Sequence, residues 1–329
     1  MNKFFNADGL VLSSSYAETM ERLVFPYLKK LEKDTTVAGA DQKPLFCSTY
    51  TVDRPQGTVL LIHGFTENAF KFSELVYSLL QNGFNVVAYD QRGHGRSWHL
   101  EKIKDTSLVH VDHFMNYVRD MEIIVDSVVS KQPKPWLLFS HSMGGAVSGL
   151  YLESHPDVFS RAAFCAPMIQ ANLGNMSAGV VKFLCQSAKL IGMGSGRVFV
   201  SKPYDGKETF ENSVATGRER FDWYESIRSR RKEFQSNGPS YSWTLESVGV
   251  TAKLLASGEP EKIACPVRLY TAELDHTVLP EAQEKFISRI KKGTHVTVKG
   301  AKHEIYRSDD EVLFSWWHDV LEFLKGNNQ

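Results

Sequence analysis

Short apolar runs recur along this chain, and most are followed by a stretch with helical spacing. Residues 59–63 (VLLIH), 84–89 (FNVVAY) and 136–139 (WLLF) read as strands buried on both faces, as in a parallel sheet. Residues 46–52 and 161–166 add two more strands. Segments 72–81, 114–130 and 143–154 read as the intervening helices, the second with apolar residues near i, i+3, i+4 spacing. The alternation predicts an α/β protein with a mostly parallel sheet flanked by helices on both faces. It resumes at 267–271 (strand), 281–290 (helix), 295–299 (strand) and 312–324 (helix). Ahead of this core, residues 16–32 read as a helix kinked or broken at Pro26, and 34–43 as a polar linker.

Between Met168 and Pro260 the rhythm stops. The segment contains helix-like pieces, no clear buried strand, and 12 Lys/Arg against 8 Asp/Glu over 169–258. It reads as a mainly helical cap (169–259) inserted into a core made of 1–168 and 260–329, and covering the carboxyl edge of the sheet. Its Gly192-Met-Gly-Ser-Gly196 run is no dinucleotide fingerprint: Arg197 follows where a further glycine is needed, and no strand precedes it.

Composition excludes several classes. With 42% hydrophobic and 23% charged residues, the chain resembles an ordinary globular protein. Lys plus Arg equal Asp plus Glu at 38 each, which argues against a nucleic-acid partner. Four scattered cysteines (Cys47, Cys165, Cys185, Cys265) form no zinc spacing and no disulfide framework, as expected of reduced thiols in a cytoplasmic protein. Neither an export signal nor a spanning helix is legible, so any membrane contact is expected to be peripheral.

The chemistry is concentrated at the ends of strands. In WLLFSHSMGG, Ser142 sits in a small-x-Ser-x-Gly turn between a strand and a helix, the setting of a nucleophile elbow, with Ser140 where glycine is usual. A serine hydroxyl needs a base, and in this architecture an acid and then a histidine follow it in sequence. Asp275 and His303 each follow a strand at the matching edge, with Glu273 as the alternative acid. His295 is at the wrong end of its strand, His318 lies within a helix beside two tryptophans, and His276 adjoins the acid. Position 307 is Arg, so His303-Glu304 begins no H-E-x-x-H zinc motif. For the oxyanion, the N–H groups of Met143 and of Phe65, in the loop HGFT, are the candidates. His63 is expected to hold that loop through backbone hydrogen bonds. The DQRGHGRS loop at 90–97 reads as scaffold, since no P-loop lysine follows.

With these residues located, the chain resembles the α/β-hydrolase superfamily along nearly its whole length. Within it, the segments SHSMGGAVSGLYLESHP, CAPMI, HVDHFMNYVRDM, NGPSYSW and VKGAKHEIY are similar to bacterial lysophospholipases, which group with monoacylglycerol lipases. The resemblance implies an α/β-hydrolase fold that cleaves the remaining acyl ester of a lysophospholipid. It also implies contact with the bacterial inner membrane. The expected route is acyl transfer through an acyl-enzyme on Ser142, with no metal or organic cofactor. A monoacylglycerol lipase or general carboxylesterase with the same triad is the alternative, and a non-catalytic binding protein of the same fold the remote one. One cap stretch bears on membrane contact: residues 180–191 place apolar residues at helical spacing with Lys182 and Lys189 between them. Such a stripe either lies in a lipid headgroup region or packs on the core or acyl pocket.

Overall fold

A computed structural model describes residues 3–101 and 104–327. Eight strands form one sheet: β1 (Glu32–Ala38), β2 (Pro44–Tyr50), β3 (Gly57–Ile62), β4 (Phe84–Tyr89), β5 (Trp136–His141), β6 (Arg161–Cys165), β7 (Val267–Ala272) and β8 (Gly293–Val298). Their order is β1-β2-β4-β3-β5-β6-β7-β8. β2 runs antiparallel to both neighbours and every other pairing is parallel. The helices are α1 (Tyr16–Thr19), α2 (Phe25–Leu31), α3 (Ser73–Gln81), α4 (Met115–Ser127), α5 (Met143–Ser154), α6 (Ala178–Leu190), α7 (Arg218–Arg228), α8 (Tyr241–Leu254), α9 (Pro280–Ile287) and α10 (Asp310–Lys325).

The apolar runs have a direct cause. In β3, Leu60 and Ile62 enter the core under α4, α5 and α9, while Val59 and Leu61 enter the core under α3 and α10. Successive side chains of a strand point to opposite faces. A strand with helices on both sides therefore has no polar face to present. Each such Leu, Ile or Val contributes about 1.5–3 kcal/mol through burial. All six strands from β3 to β8 point the same way, so their carboxyl ends share one edge.

Two expectations at the N-terminal side are corrected. Part of the supposed polar linker is β1, an edge strand whose side chains are mostly exposed. Lys33 and Asp34 fit an edge that must resist further pairing. Residues 16–31 are helical throughout and do not break at Pro26. A π turn at Met20–Val24 precedes it, the Phe25 N–H bonding the Met20 carbonyl, so the hydrogen-bond register has already shifted by one where Pro26 lacks its donor.

No described strand lies between β6 and β7. That stretch holds α6, α7 and α8. α7 is tied down by buried Arg220, which bonds Glu74 of α3, Asp310 of α10 and the Val11 carbonyl at 2.8–3.0 Å. α6 instead packs Val181 and Cys185 on Val248 of α8.

Candidate active site

The elbow is built from β5 and α5. Ser142 has φ 50° and ψ −117°, a strained conformation held by the close approach of strand and helix. A Cβ at Gly144 would meet the Ile62 carbonyl oxygen at 2.5 Å, so a side chain there has no room. Ser140, in the usual glycine position, is fully buried within β5.

Around Ser142 the three strand ends converge. His303 Nε2 lies 2.8 Å from Ser142 Oγ, and His303 Nδ1 lies 2.7 Å from Asp275 Oδ2. The other carboxylate oxygen of Asp275 accepts the N–H groups of Thr277 at 2.7 Å and Val278 at 3.2 Å. Burial opposes ionisation of Asp275, but its bond to His303 and these two backbone donors outweigh it and hold the carboxyl below the usual range. Glu273 is exposed and accepts the Gly300 N–H instead. The rejected histidines lie elsewhere: His295 bonds Thr271, His318 bonds Asp8, and His276 is exposed.

The loop after β3 lies against the nucleophile. A Cβ on Gly64 would come 2.9 Å from Ser142 Cβ, so only glycine permits this approach. Phe65, the expected oxyanion donor, is the next residue in the chain. Met143 is the first residue of α5, where N–H groups have no partner within the helix. His63 is buried, its Nδ1 bonding the Gly64 carbonyl and its Nε2 accepting the Gln91 N–H. The 90–97 loop is a scaffold: Asp90 accepts the Ala69 and Arg96 N–H groups, and Arg92 forms a bidentate pair with buried Asp120 at 2.6 and 2.8 Å.

Trp243 of α8 stacks on Phe65 at 4.0 Å between ring centres, and Ser142 is only 5% exposed. α8 thus lies against the loop after β3. On α6, Val181, Cys185 and Ala188 pack inward, whereas Phe183 (71%), Leu190 (78%) and, just past the helix, Ile191 (74%) face solvent. Val180 and Leu184 extend this outer stripe, with Met193, Phe199 and Val200 beyond it.

Sequence reasoning missed a set of buried charges behind the site. Glu67 and His141 contact each other there, next to a Lys71–Glu304–Arg307 group. Nothing in their spacing marks them. A glutamate in a loop and a histidine ending a strand become partners only through the sheet order.

Among the described residues, no cluster of His, Cys, Asp or Glu has the arrangement to hold a metal ion, and no helix is long and apolar enough to cross a membrane. The arrangement can add a serine oxygen to a carbonyl and shuttle its proton through imidazole.

The chain is 27% identical over 300 residues to lysophospholipase L2 of Escherichia coli, covering 88% of this chain and 86% of that one. It is 32% identical over 160 residues to the monoglyceride lipase of Mus musculus, covering 47% and 48% respectively. A thermostable carboxyl esterase from Bacillus coagulans has the same fold, with a TM-score of 0.72 at 17% identity, covering 90% of this chain and 98% of that one. The family described as serine aminopeptidase, S33, matches residues 53–310. With Ser142, Asp275 and His303 all inside that span, the chain belongs to this S33 family of α/β-hydrolases.

Proposed function

We propose that the protein is a serine hydrolase that removes the acyl chain from lysophospholipids. The observation that carries the reading is the hydrogen-bonded line Ser142–His303–Asp275 beneath a roof with an apolar outer face. His303 takes the Ser142 proton as Oγ attacks the ester carbonyl, and Asp275 holds the imidazole in the right tautomer. The amides of Phe65 and Met143 receive the oxyanion. His303 then protonates the departing glycerophosphodiester, and water releases the fatty acid from the acyl-serine. Residues 169–259 act as the cap.

The likeness to lysophospholipase L2 over most of both chains supports the substrate class, and the apolar outer stripe of α6 suits a substrate that resides in a bilayer. This stripe, with Lys182 and Lys189, rests on the lipid headgroups in a peripheral contact on the cytoplasmic side. Similarity to a monoglyceride lipase over 160 residues favours monoacylglycerol as the second substrate. A panel of lysophosphatidyl lipids, monoacylglycerols and peptide amides tests the reading. The lysophospholipids should give the highest kcat/KM, and faster cleavage of the peptide amides would overturn it.

A further inference from the structure

Behind the triad, Glu67 and His141 join the two loops on which the proposed chemistry depends. Glu67 follows Gly64 and Phe65 in the loop after β3, and His141 ends β5 immediately before Ser142. One Glu67 oxygen accepts the Gly64 N–H at 2.5 Å and faces His141 Nδ1 at 2.9 Å. The other accepts the Tyr306 hydroxyl and lies 3.5 Å from Lys71 Nζ. The second ring nitrogen of His141 lies 3.2 Å from the carbonyl oxygen of His303. Both His141 nitrogens thus face oxygens. Burial opposes charge on either partner, but their mutual attraction and hydrogen bond outweigh it, lowering the Glu67 carboxyl and raising the imidazole. This favours an imidazolium donating from both nitrogens. Phe72 and Tyr306 close around it, with ring centres at 6.2 and 5.1 Å, and the pair is almost wholly buried.

We propose that the ionised Glu67–His141 pair is a positioning device that fixes the oxyanion loop, through Gly64, and the His303 backbone in one frame around Ser142. The inference deepens the serine-hydrolase reading and rests on it. Neither residue touches the reacting atoms. Glu67 sets the peptide plane next to the Phe65 amide, and His141 holds the carbonyl of the residue whose ring must meet Ser142 Oγ. The arrangement also explains a large energetic liability. A buried ion pair is weak evidence for stability, because desolvation of the two charges opposes their attraction. Its return here is geometry: two loops from distant parts of the chain locked to a single rigid pair.

Three measurements test this, and none requires the natural lipid. First, nitrogen-15 NMR of the wild-type protein near pH 7 should show His141 with both ring nitrogens protonated; a neutral ring overturns the proposal. Second, Glu67→Gln and His141→Asn should lower kcat for a short nitrophenyl ester by about 10–100-fold with little change in KM, because an oxyanion donor out of place costs up to ~10²–10³. Third, a boronate that mimics the tetrahedral intermediate should lose affinity in proportion to kcat, while a fatty-acid product inhibitor keeps its affinity. A role in stability alone would lower the unfolding temperature and leave kcat of the folded fraction and boronate affinity intact; that result overturns the proposal. Fluorophosphonate labelling separates the two levels. Wild-type protein that labels at Ser142, with variants of normal kcat, refutes only the positioning role, whereas no labelling of Ser142 in the wild type refutes the serine-hydrolase reading and this inference with it.

Discussion

Asp275 and Glu273 are two residues apart, yet only one faces His303. Asp275 is buried, with one oxygen on the imidazole and the other on two backbone N–H groups, while Glu273 points to solvent and caps Gly300. Asp275→Asn should therefore cut turnover by on the order of 10⁴ by stabilising the wrong imidazole tautomer. Glu273→Gln should leave the rate close to that of the wild type, and steady-state kinetics on both variants would reveal a reversed ranking. A second prediction concerns Glu304. Burial opposes its ionisation, but Lys71 and Arg307 outweigh that and bring the carboxyl down from 4.5 to about 2. Because its folded-state value is depressed, the stability it contributes is fully present above about 4.5 and is lost as pH falls through about 2. In urea titrations Glu304→Gln should be less stable than the wild type near neutrality, and the gap should close as pH falls across that window. A gap that widened in acid would contradict the assignment.

Among the elements, α6 differs from the helices of the core by having two apolar faces. Val181, Cys185 and Ala188 pack inward, so the packing reading of the 180–191 stripe accounts for one side of the helix, and the exposed side carries the proposed lipid contact. Replacing both Lys182 and Lys189 with Glu should weaken binding to anionic vesicles, since each basic group near such a surface contributes about 1 kcal/mol. Hydrolysis of a short soluble ester should be spared. Vesicle binding unchanged in the double variant, or insensitive to salt, would remove the membrane role from α6. The strands show what a sequence can and cannot reveal. β4 is legible residue for residue because both its faces are covered and every position is buried. β1 was missed because an edge strand needs no apolar face, and its Thr35-Thr36-Val37 run of β-branched residues was the only hint. The triad was legible because each member follows a readable strand in a fixed order. The Glu67–His141 pair was not, since no local pattern records which loop lies behind which strand.

At the scale of the whole molecule, Arg220 is the junction between the N-terminal arm, α3, α7 and α10. It is almost fully buried and bonds Glu74 bidentately at 3.0 Å, with Asp310 and the Val11 carbonyl at 2.8 Å. Arg220→Ala leaves Glu74 buried without its cation and should cost about 3–5 kcal/mol in chemical denaturation. A loss below about 1 kcal/mol, the range of exposed ion pairs, would mean that the arm and α7 are held by packing alone. The same assembly brings Ser142, Asp275 and His303 from three strand ends to one edge, so the central claim concerns a covalent event at one atom. The most direct measurement is acid quenching of the protein during turnover of a lysophospholipid, followed by mass spectrometry of the peptide that contains Ser142. The account predicts an adduct of the acyl-chain mass on Ser142, absent in Ser142→Ala together with the hydrolysis. Continued hydrolysis by Ser142→Ala, with no acyl adduct on Ser142 in the wild type, would contradict it.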